Sequence, residues 1–264
     1  MTDNVGAPSS IAVLTSGGDA GGMNAAVRAV VRTALSHGVD AYVIHNGFQG
    51  LVDGGDAIRR VSSADVAGIL HRGGTVFGTA RSSEFRTQEG MGKAVRNMLD
   101  RRIDALVVVG GDGSLTGANE FREGWPGVVA ELVESGEVTA EVAASHPLLR
   151  LVGLVGSIDN DMSGTDMTIG VDTALHRIVE ALDSIRSTAS SHQRTFVGDV
   201  MGRDCGYLAL TAGLRTAADR VFRPEHQPGG EASDQTFWAY SRPGYEHARA
   251  PGLATLAWGA TRAA

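Results

Sequence analysis

The chain has 264 residues, of which 42% are hydrophobic and 20% are charged, and its net charge is −7 at pH 7. This composition is typical of a globular protein and excludes an intrinsically disordered one, and the acidic balance argues against nucleic acid as a partner. A single cysteine, no apolar run near 18 residues and no signal-peptide pattern together predict a cytoplasmic protein with no membrane partner.

Strands and helices alternate along the sequence. Short apolar runs predict strands, and apolar residues at helical spacing predict helices. In chain order we expect a strand at Ile11–Thr15, a helix at Met23–Ser36, a strand at Ala41–His45, a helix at Glu89–Arg101, a strand at Ala105–Val109, a helix at Ser114–Phe121, a strand at Leu151–Val155, a helix at Ile169–Arg186, a strand at Thr195–Met201 and a helix at Cys205–Leu214. Because the strands read as buried on both faces, the pattern predicts an α/β fold with a parallel sheet.

Two segments interrupt this alternation. Residues 124–147 are rich in acidic and small residues, and we expect a surface insertion there. After Pro224 prolines and aromatic residues accumulate, and apart from the brief run Leu253–Trp258 no strand or helix pattern emerges. We therefore expect a divergent tail over residues 224–264.

Three predicted strands end in glycine followed by a carboxylate, at Gly18, at Gly111 and at Gly156 shortly before Asp159. The carboxyl ends of parallel strands form the ligand crevice of open α/β sheets, so we expect these loops to share one site. Glycine lets backbone N–H groups face an anion, and a nearby carboxylate can hold Mg²⁺ or accept a proton. Each loop alone could be a tight turn with a helix cap, but three together favour a phosphate site.

Arginines also lie in predicted loops rather than on helix faces, at Arg72, Arg81, Arg194 and Arg203. A guanidinium fork binds phosphate through two hydrogen bonds, although an isolated loop arginine is usually only solvated. Several together favour two anionic ligands, a nucleotide and a sugar phosphate.

Six segments resemble the 6-phosphofructokinases in content and in order. They are LTSGGDAGGMNAAVRAVVR, RGGTVFGTAR, IDALVVVGGDGSLTGA, GSIDNDMSGTDMTIGVDTAL, SSHQRTFVGDVMGR and CGYLAL, which together cover roughly Ile11 to Phe222. The serine in GSIDND is similar to the eukaryotic-type branch. The resemblance implies a parallel-sheet α/β sandwich of two similar subdomains, with a nucleotide-binding subdomain over residues 11–150 and a partial, incomplete sugar-phosphate subdomain over residues 151–223.

The resemblance also implies an activity, which is transfer of the γ-phosphoryl group of ATP to the 1-hydroxyl of fructose 6-phosphate in glycolysis. Asp112 would hold Mg²⁺, and Asp159 would be the base; as an exposed aspartate with a pKa of about 3.9 it would be ionised at pH 7. The residues implied to contact ATP are Gly18, Arg81, Ser82, Gly111, Asp112, Gly113 and Ser114. Those implied to contact the sugar phosphate are Ser157, Ile158, Asp159, Arg194, Met201, Gly202 and Arg203.

Oligomerisation and regulation follow from the same resemblance. Arg194 would reach the 6-phosphate in a neighbouring subunit, which implies a homo-oligomer. Arg186 matches an effector-binding position in bacterial members, which implies an allosteric enzyme.

Two alternatives stay open. Pyrophosphate-dependent relatives carry aspartate at the position of Gly113 and lysine at that of Gly156, so the two glycines favour ATP. After Phe222 we recognise no counterpart of the family's acidic residue for the sugar hydroxyls, nor of its later His and Arg segment. A catalytically impaired remnant that binds nucleotide, or acts as a regulatory partner, is therefore the other alternative.

Overall fold

The computed structural model describes residues 8–192, 194–226 and 253–257. The chain divides into two compact units, Met1–Ser157 and Ile158–Ala264. Each unit is built on its own sheet, and no helix among the described residues is both long and apolar enough to cross a membrane.

The first unit contains a five-stranded sheet in the order β3-β2-β1-β4-β5. Its strands are β1 (Ser10–Ser16), β2 (Asp40–Ile44), β3 (Ile58–Arg60), β4 (Ala105–Gly110) and β5 (Arg150–Val155). Neighbouring strands run parallel except β3, which is antiparallel to β2. The helices are α1 (Met23–Ser36), α2 (Gly47–Asp53), α3 (Gln88–Asp100), α4 (Asp112–Glu134) and α5 (Ala140–Ser145).

Burial separates the central strands of this sheet from its edge. Every residue of β4 is buried, as expected for a continuous apolar run covered on both faces. The prediction that the strands are buried on both faces is wrong for β5, in which Val152 is 56% exposed. Within the described residues β5 pairs only with β4, so its position at the edge of the sheet accounts for the difference.

The prediction of a surface insertion at residues 124–147 is wrong for its first half. Helix α4 does not end at Phe121 but continues to Glu134, with Pro126 inside it. Trp125 is 1% exposed, its ring meets Phe121 edge-on at 5.7 Å, and its Nε1 donates to the His146 carbonyl at 2.9 Å. The apolar residues at helical spacing in this segment therefore belong to the core of the first unit.

The second unit contains a three-stranded parallel sheet in the order β6-β8-β7. Its strands are β6 (Phe196–Val200), β7 (Arg220–Phe222) and β8 (Leu253–Ala257), and its helices are α6 (Val171–His192) and α7 (Tyr207–Arg215). The apolar faces of α6 and α7 form its core around Val171, Leu175 and Leu208. The run at residues 253–257, predicted to lie in a divergent tail, forms the central strand of this sheet.

Candidate functional site

The ends of β1 and β4 are packed so closely that only glycine fits between them. Ser114 Oγ donates to Ser16 Oγ at 2.9 Å and so joins the start of α4 to the end of β1. A Cβ on Gly110 would lie 2.6 Å from the Ser16 carbonyl oxygen, and one on Gly17, whose φ is +85°, would lie 3.0 Å from Ser114 Oγ. The predicted meeting of these two loops is therefore found within the first unit.

Beside this tight contact the backbone is open. Apart from adjacent residues and the backbone of α4 itself, no heavy atom of the described residues lies within 4 Å of a Cβ placed on Gly18 or Gly113. Gly111 is the N-cap of α4 and Asp112 is its first residue, exposed to solvent. The backbone N–H groups at the start of a long helix face this space, which is an arrangement suited to phosphate oxygens.

Asp112, the carboxylate assigned to a metal, does not belong to a cage of protein ligands among the described residues. In the described part of the chain no group of three or more His, Cys, Asp or Glu side chains could hold a metal ion. Magnesium usually keeps several waters and binds through one or two carboxylates together with substrate phosphates. Exposed Asp112 beside the open backbone fits Mg²⁺ that arrives with a phosphate ligand.

The end of β5 lies beside the end of β4, where the glycine loops meet. Gly156 donates its N–H to the Gly110 carbonyl at 2.9 Å, and a Cβ on Gly156 would lie 2.6 Å from Met23 Cε. Ser157 Cβ lies 4.0 Å from a Cβ placed on Gly111. The structure thus brings the predicted residue Ser157 next to the predicted residue Gly111.

The loop that precedes Arg81 is held by two buried polar side chains that sequence reasoning missed. Thr15 and Asn24 are both fully buried, and both bond to residues 72–79. The signal available in the sequence was that these polar residues lie on either side of the glycine turn, at the end of a predicted strand and the start of a predicted helix. Arg81 itself is exposed, and Ser82 Oγ accepts from the Phe85 N–H at 3.0 Å.

In the second unit, Asp159 is half-buried, and the expectation that it is exposed with an ordinary pKa is wrong. Burial raises the pKa of Asp159, the nearby Asp161 carboxylate raises it further, and Arg203 lowers it. Ile158 is half-buried next to it, and Asn160, with a φ of +57°, accepts from the Thr168 N–H at 2.9 Å. A carboxylate with a raised pKa is a better proton acceptor than an ordinary aspartate.

The Met201–Arg203 segment makes a charged contact with Asp161. Arg203 has a φ of +54°, and its Nη1 lies 3.4 Å from Asp161 Oδ2. Met201 is 61% exposed, whereas Gly202 is buried and its carbonyl accepts from the Cys205 N–H at 2.9 Å. The contact between Arg203 and Asp161 joins residues 42 positions apart in the chain, and the sequence did not predict it.

Arg194 and Arg186 lie in different settings. Arg194 is exposed just after α6, and its N–H donates to the Ala189 carbonyl at 3.1 Å. Arg186 Nη1 donates to the Thr216 carbonyl at 2.8 Å, at the end of α7. The Arg186 side chain therefore has a structural contact within this chain.

One acidic residue of the tail was overlooked. Glu225 follows β7, and its Oε1 accepts from the Gly206 N–H at 2.7 Å, at the start of α7. Since α7 begins just after the Met201–Arg203 segment, Glu225 lies near residues assigned to the sugar phosphate. The signal available in the sequence was an acidic residue shortly after Phe222.

Comparisons with known proteins show which proteins this chain is similar to. The family described as Phosphofructokinase matches residues 10–237. The chain is 59% identical over 218 residues to ATP-dependent 6-phosphofructokinase 1 of Aspergillus oryzae, covering 83% of this chain and 28% of that protein. It is 56% identical over 223 residues to the human platelet-type ATP-dependent 6-phosphofructokinase, covering 84% of this chain and 28% of that protein.

A solved structure agrees as well. The phosphofructokinase of Saccharomyces cerevisiae superposes with a TM-score of 0.88 at 51% identity, covering 95% of this chain and 34% of that one. These relatives are fungal and mammalian, which confirms the predicted eukaryotic-type branch. The chain spans less than a third of the length of the curated relatives it matches.

Proposed function

The chain belongs to the phosphofructokinase family, and from that premise we propose that it transfers the γ-phosphoryl group of ATP to the 1-hydroxyl of fructose 6-phosphate. The product is fructose 1,6-bisphosphate. The observation that carries the proposal is the extent of the family match, because residues 10–237 include each residue assigned to a ligand, from Gly18 to Arg203.

The first unit would bind the nucleotide. Its phosphates would lie against the open backbone at Gly18 and at Gly111–Ser114, and Arg81 and Ser82 would add polar contacts. Asp112 would hold Mg²⁺, which supplies charge neutralisation on the phosphate oxygens. Arg81 would neutralise further charge, since phosphoryl transfer depends mainly on alignment and electrostatic stabilisation.

The second unit would supply the proton acceptor. Asp159 would take the proton of the sugar 1-hydroxyl at a carboxylate oxygen, and its raised pKa supports this role. Ser157 at the end of the first unit, together with Ile158 and Met201–Arg203, would bind the sugar phosphate. Glu225 is the candidate for the sugar hydroxyls.

The two glycines that favour ATP differ in their surroundings. A side chain at Gly156 would displace Met23, whereas Gly113 faces open space that an aspartate would fill with negative charge. An empty, uncharged position 113 supports a nucleotide as the donor, since an aspartate there would crowd and repel the α-phosphate, which a nucleotide has and pyrophosphate lacks.

The partners and setting follow the family resemblance. We propose a homo-oligomer in which Arg194 reaches the 6-phosphate bound by a neighbouring subunit, and an allosteric enzyme. A cytoplasmic location suits a chain with a single cysteine.

A second candidate is a nucleotide-binding or regulatory partner without turnover. The observation that favours it is that the residues from Arg223 to Ala264 show no recognisable counterpart of the family's later His and Arg segment. Each charge-assisted contact that is absent from the sugar-phosphate site would forfeit about 1.5–3 kcal/mol.

Two measurements on the purified chain separate these functions. A coupled assay of fructose 1,6-bisphosphate formation is run with ATP and, separately, with pyrophosphate as the donor. Calorimetric titrations measure binding of Mg-ATP and of fructose 6-phosphate. Turnover with ATP alone supports the proposal, nucleotide binding without turnover supports the second candidate, and turnover with pyrophosphate refutes the choice of donor.

A further inference from the structure

Asn24 is a fully buried polar side chain to which the proposed reaction gives no role. It is the second residue of α1, and its Nδ2 donates to the carbonyls of Arg72 at 2.9 Å and Gly73 at 3.2 Å. Its Oδ1 accepts from the Val76 N–H at 2.8 Å. Because the donor faces two carbonyls and the acceptor faces an amide, one orientation of the carboxamide satisfies all three contacts.

These contacts all fall on the 72–79 loop, which contains neither helix nor strand. Thr15 supports the same loop, since its Oγ1 donates to the Gly78 carbonyl at 2.9 Å and lies 2.8 Å from Thr75 Oγ1. Thr79 Oγ1 donates to the Gly17 carbonyl at 2.9 Å. Backbone groups without a secondary-structure partner need other partners when buried, and here β1, α1 and the glycine turn supply them.

We propose that Asn24 is a positioning residue that holds the 72–79 loop against the start of α1, in register with the turn at Gly17–Gly18. A Cβ on Gly74 would lie 3.4 Å from Asp19 Oδ2, so the loop directly adjoins this turn. Arg81 follows the loop by two residues. The inference rests on the proposed function, because that function assigns phosphate contacts to Gly18 and Arg81.

The chain offers a matched control for a variant of Asn24. Asn97 Nδ2 also donates to two backbone carbonyls, those of Leu51 and Val52, both at 3.0 Å, but it holds the end of α2. Asn24→Asp and Asn97→Asp each replace an amide donor by a carboxylate oxygen of the same shape. Both variants lose two hydrogen bonds and gain repulsion from two carbonyls, so any shared effect is structural.

Release of the loop is measured first, by limited trypsin digestion of the full chain after Arg72 under native conditions. Asn24→Asp should raise the rate of this cleavage on the order of tenfold or more relative to Asn97→Asp. Equal rates in the two variants overturn the proposal. This result does not depend on turnover, so it decides the positioning role even if the proposed function fails.

Kinetics then test whether the loop position matters for the reaction. Misplacement of a charge by about 1 Å can reduce turnover by about 10²-fold. Asn24→Asp should lower kcat by about tenfold or more with KM for ATP within about threefold, while Asn97→Asp keeps both. Equal kcat values in an active chain overturn the proposal, whereas absence of turnover in the unsubstituted chain counts against the proposed function alone.

Discussion

The Arg203 guanidinium lies 3.4 Å from the Asp161 carboxylate in the second unit. The Asp161 side chain is only 13% exposed, whereas that of Arg203 is 58% exposed, so a largely buried acid holds an arginine that keeps most of its surface in solvent. The same two groups act on Asp159, since Asp161 raises its pKa and Arg203 lowers it. The pair therefore links Arg203, which we propose to bind phosphate, to the pKa of the proposed base Asp159.

Asp159→Asn should abolish the base while leaving the nucleotide site intact. We expect kcat to fall by on the order of 10²-fold or more, because general-base catalysis contributes that much. A coupled assay measures kcat, and calorimetry with Mg-ATP confirms that the nucleotide still binds. Asp166→Asn, at an exposed carboxylate of the same unit, is the control. Turnover of Asp159→Asn at the unsubstituted rate would refute the role.

Although Asp159→Asn should lower turnover, it should raise the stability of the fold at neutral pH. The pKa of Asp159 is raised on folding, so the folded state binds more protons than the unfolded state between the two pKa values. Stability due to this group therefore falls as pH rises through that interval, and ionised Asp159 destabilises the fold at neutral pH. A neutral amide at this position has no such penalty, so Asp159→Asn should raise the thermal unfolding temperature at pH 7, and should not raise it below the unfolded pKa. A lower unfolding temperature at pH 7 contradicts the raised pKa.

The pH profile of the reaction tests the Asp161 effect. A base works only when it is ionised, so kcat/KM should fall as the pH drops through the pKa of Asp159. Because this pKa is raised, the fall should begin at a higher pH than it would for an ordinary aspartate. Asp161→Asn removes a negative charge that raises this pKa and should move the acidic limb to lower pH. Asp166→Asn should leave the limb in place. A limb that does not move in Asp161→Asn would show that another group titrates.

The regular part of the fold could be predicted from the sequence. The predicted helix at Met23–Ser36 matches α1, and the predicted strand at Ala105–Val109 differs from β4 by one residue. Both segments have strong periodicity or continuous burial, which local sequence encodes directly. Short elements such as β3 and β7 were missed, because three residues carry too little pattern and depend on pairing with distant strands.

The residues that we propose to bind ligands were easier to select from the sequence than the residues that hold them in place. Glycine and carboxylate at strand ends have few uses, so Gly18, Gly111 and Asp112 could be selected from the sequence. Asn24 and Asp161 act through partners that are 48 to 52 and 42 positions away in the chain, and no local pattern reveals such contacts. Burial, which decides the pKa of Asp159, likewise depends on the folded structure.

Alanine substitution should affect stability differently at Gly156 and at Gly113, the two glycines that we propose favour ATP. Gly156→Ala should destabilise the fold by about 1–3 kcal/mol, because its Cβ would press on buried Met23 Cε at 2.6 Å. Gly113→Ala should be neutral or stabilise by up to about 1 kcal/mol, since it lies in α4 with open space around it. Urea unfolding of both variants measures the difference. Equal effects would show that Met23 moves aside without cost.

The run at residues 253–257 should be necessary for the second unit. Strands β6 and β7 each pair with β8, and within the described residues they do not pair with each other. Thr255 lies at the middle of β8, opposite Gly198 on one side and Val221 on the other. Proline cannot donate to a neighbouring strand and is excluded from central strands, so Thr255→Pro should break the sheet, whereas Thr255→Ala keeps the backbone donor.

Amide hydrogen exchange measures this effect strand by strand. Protection of β6 should fall by on the order of tenfold or more in Thr255→Pro relative to Thr255→Ala. Protection of β4, in the separate sheet of the first unit, serves as the internal standard and should not change. Unchanged protection of β6 in Thr255→Pro would mean that β8 does not hold this sheet together, and residues 253–257 would then be dispensable, as expected of a divergent tail.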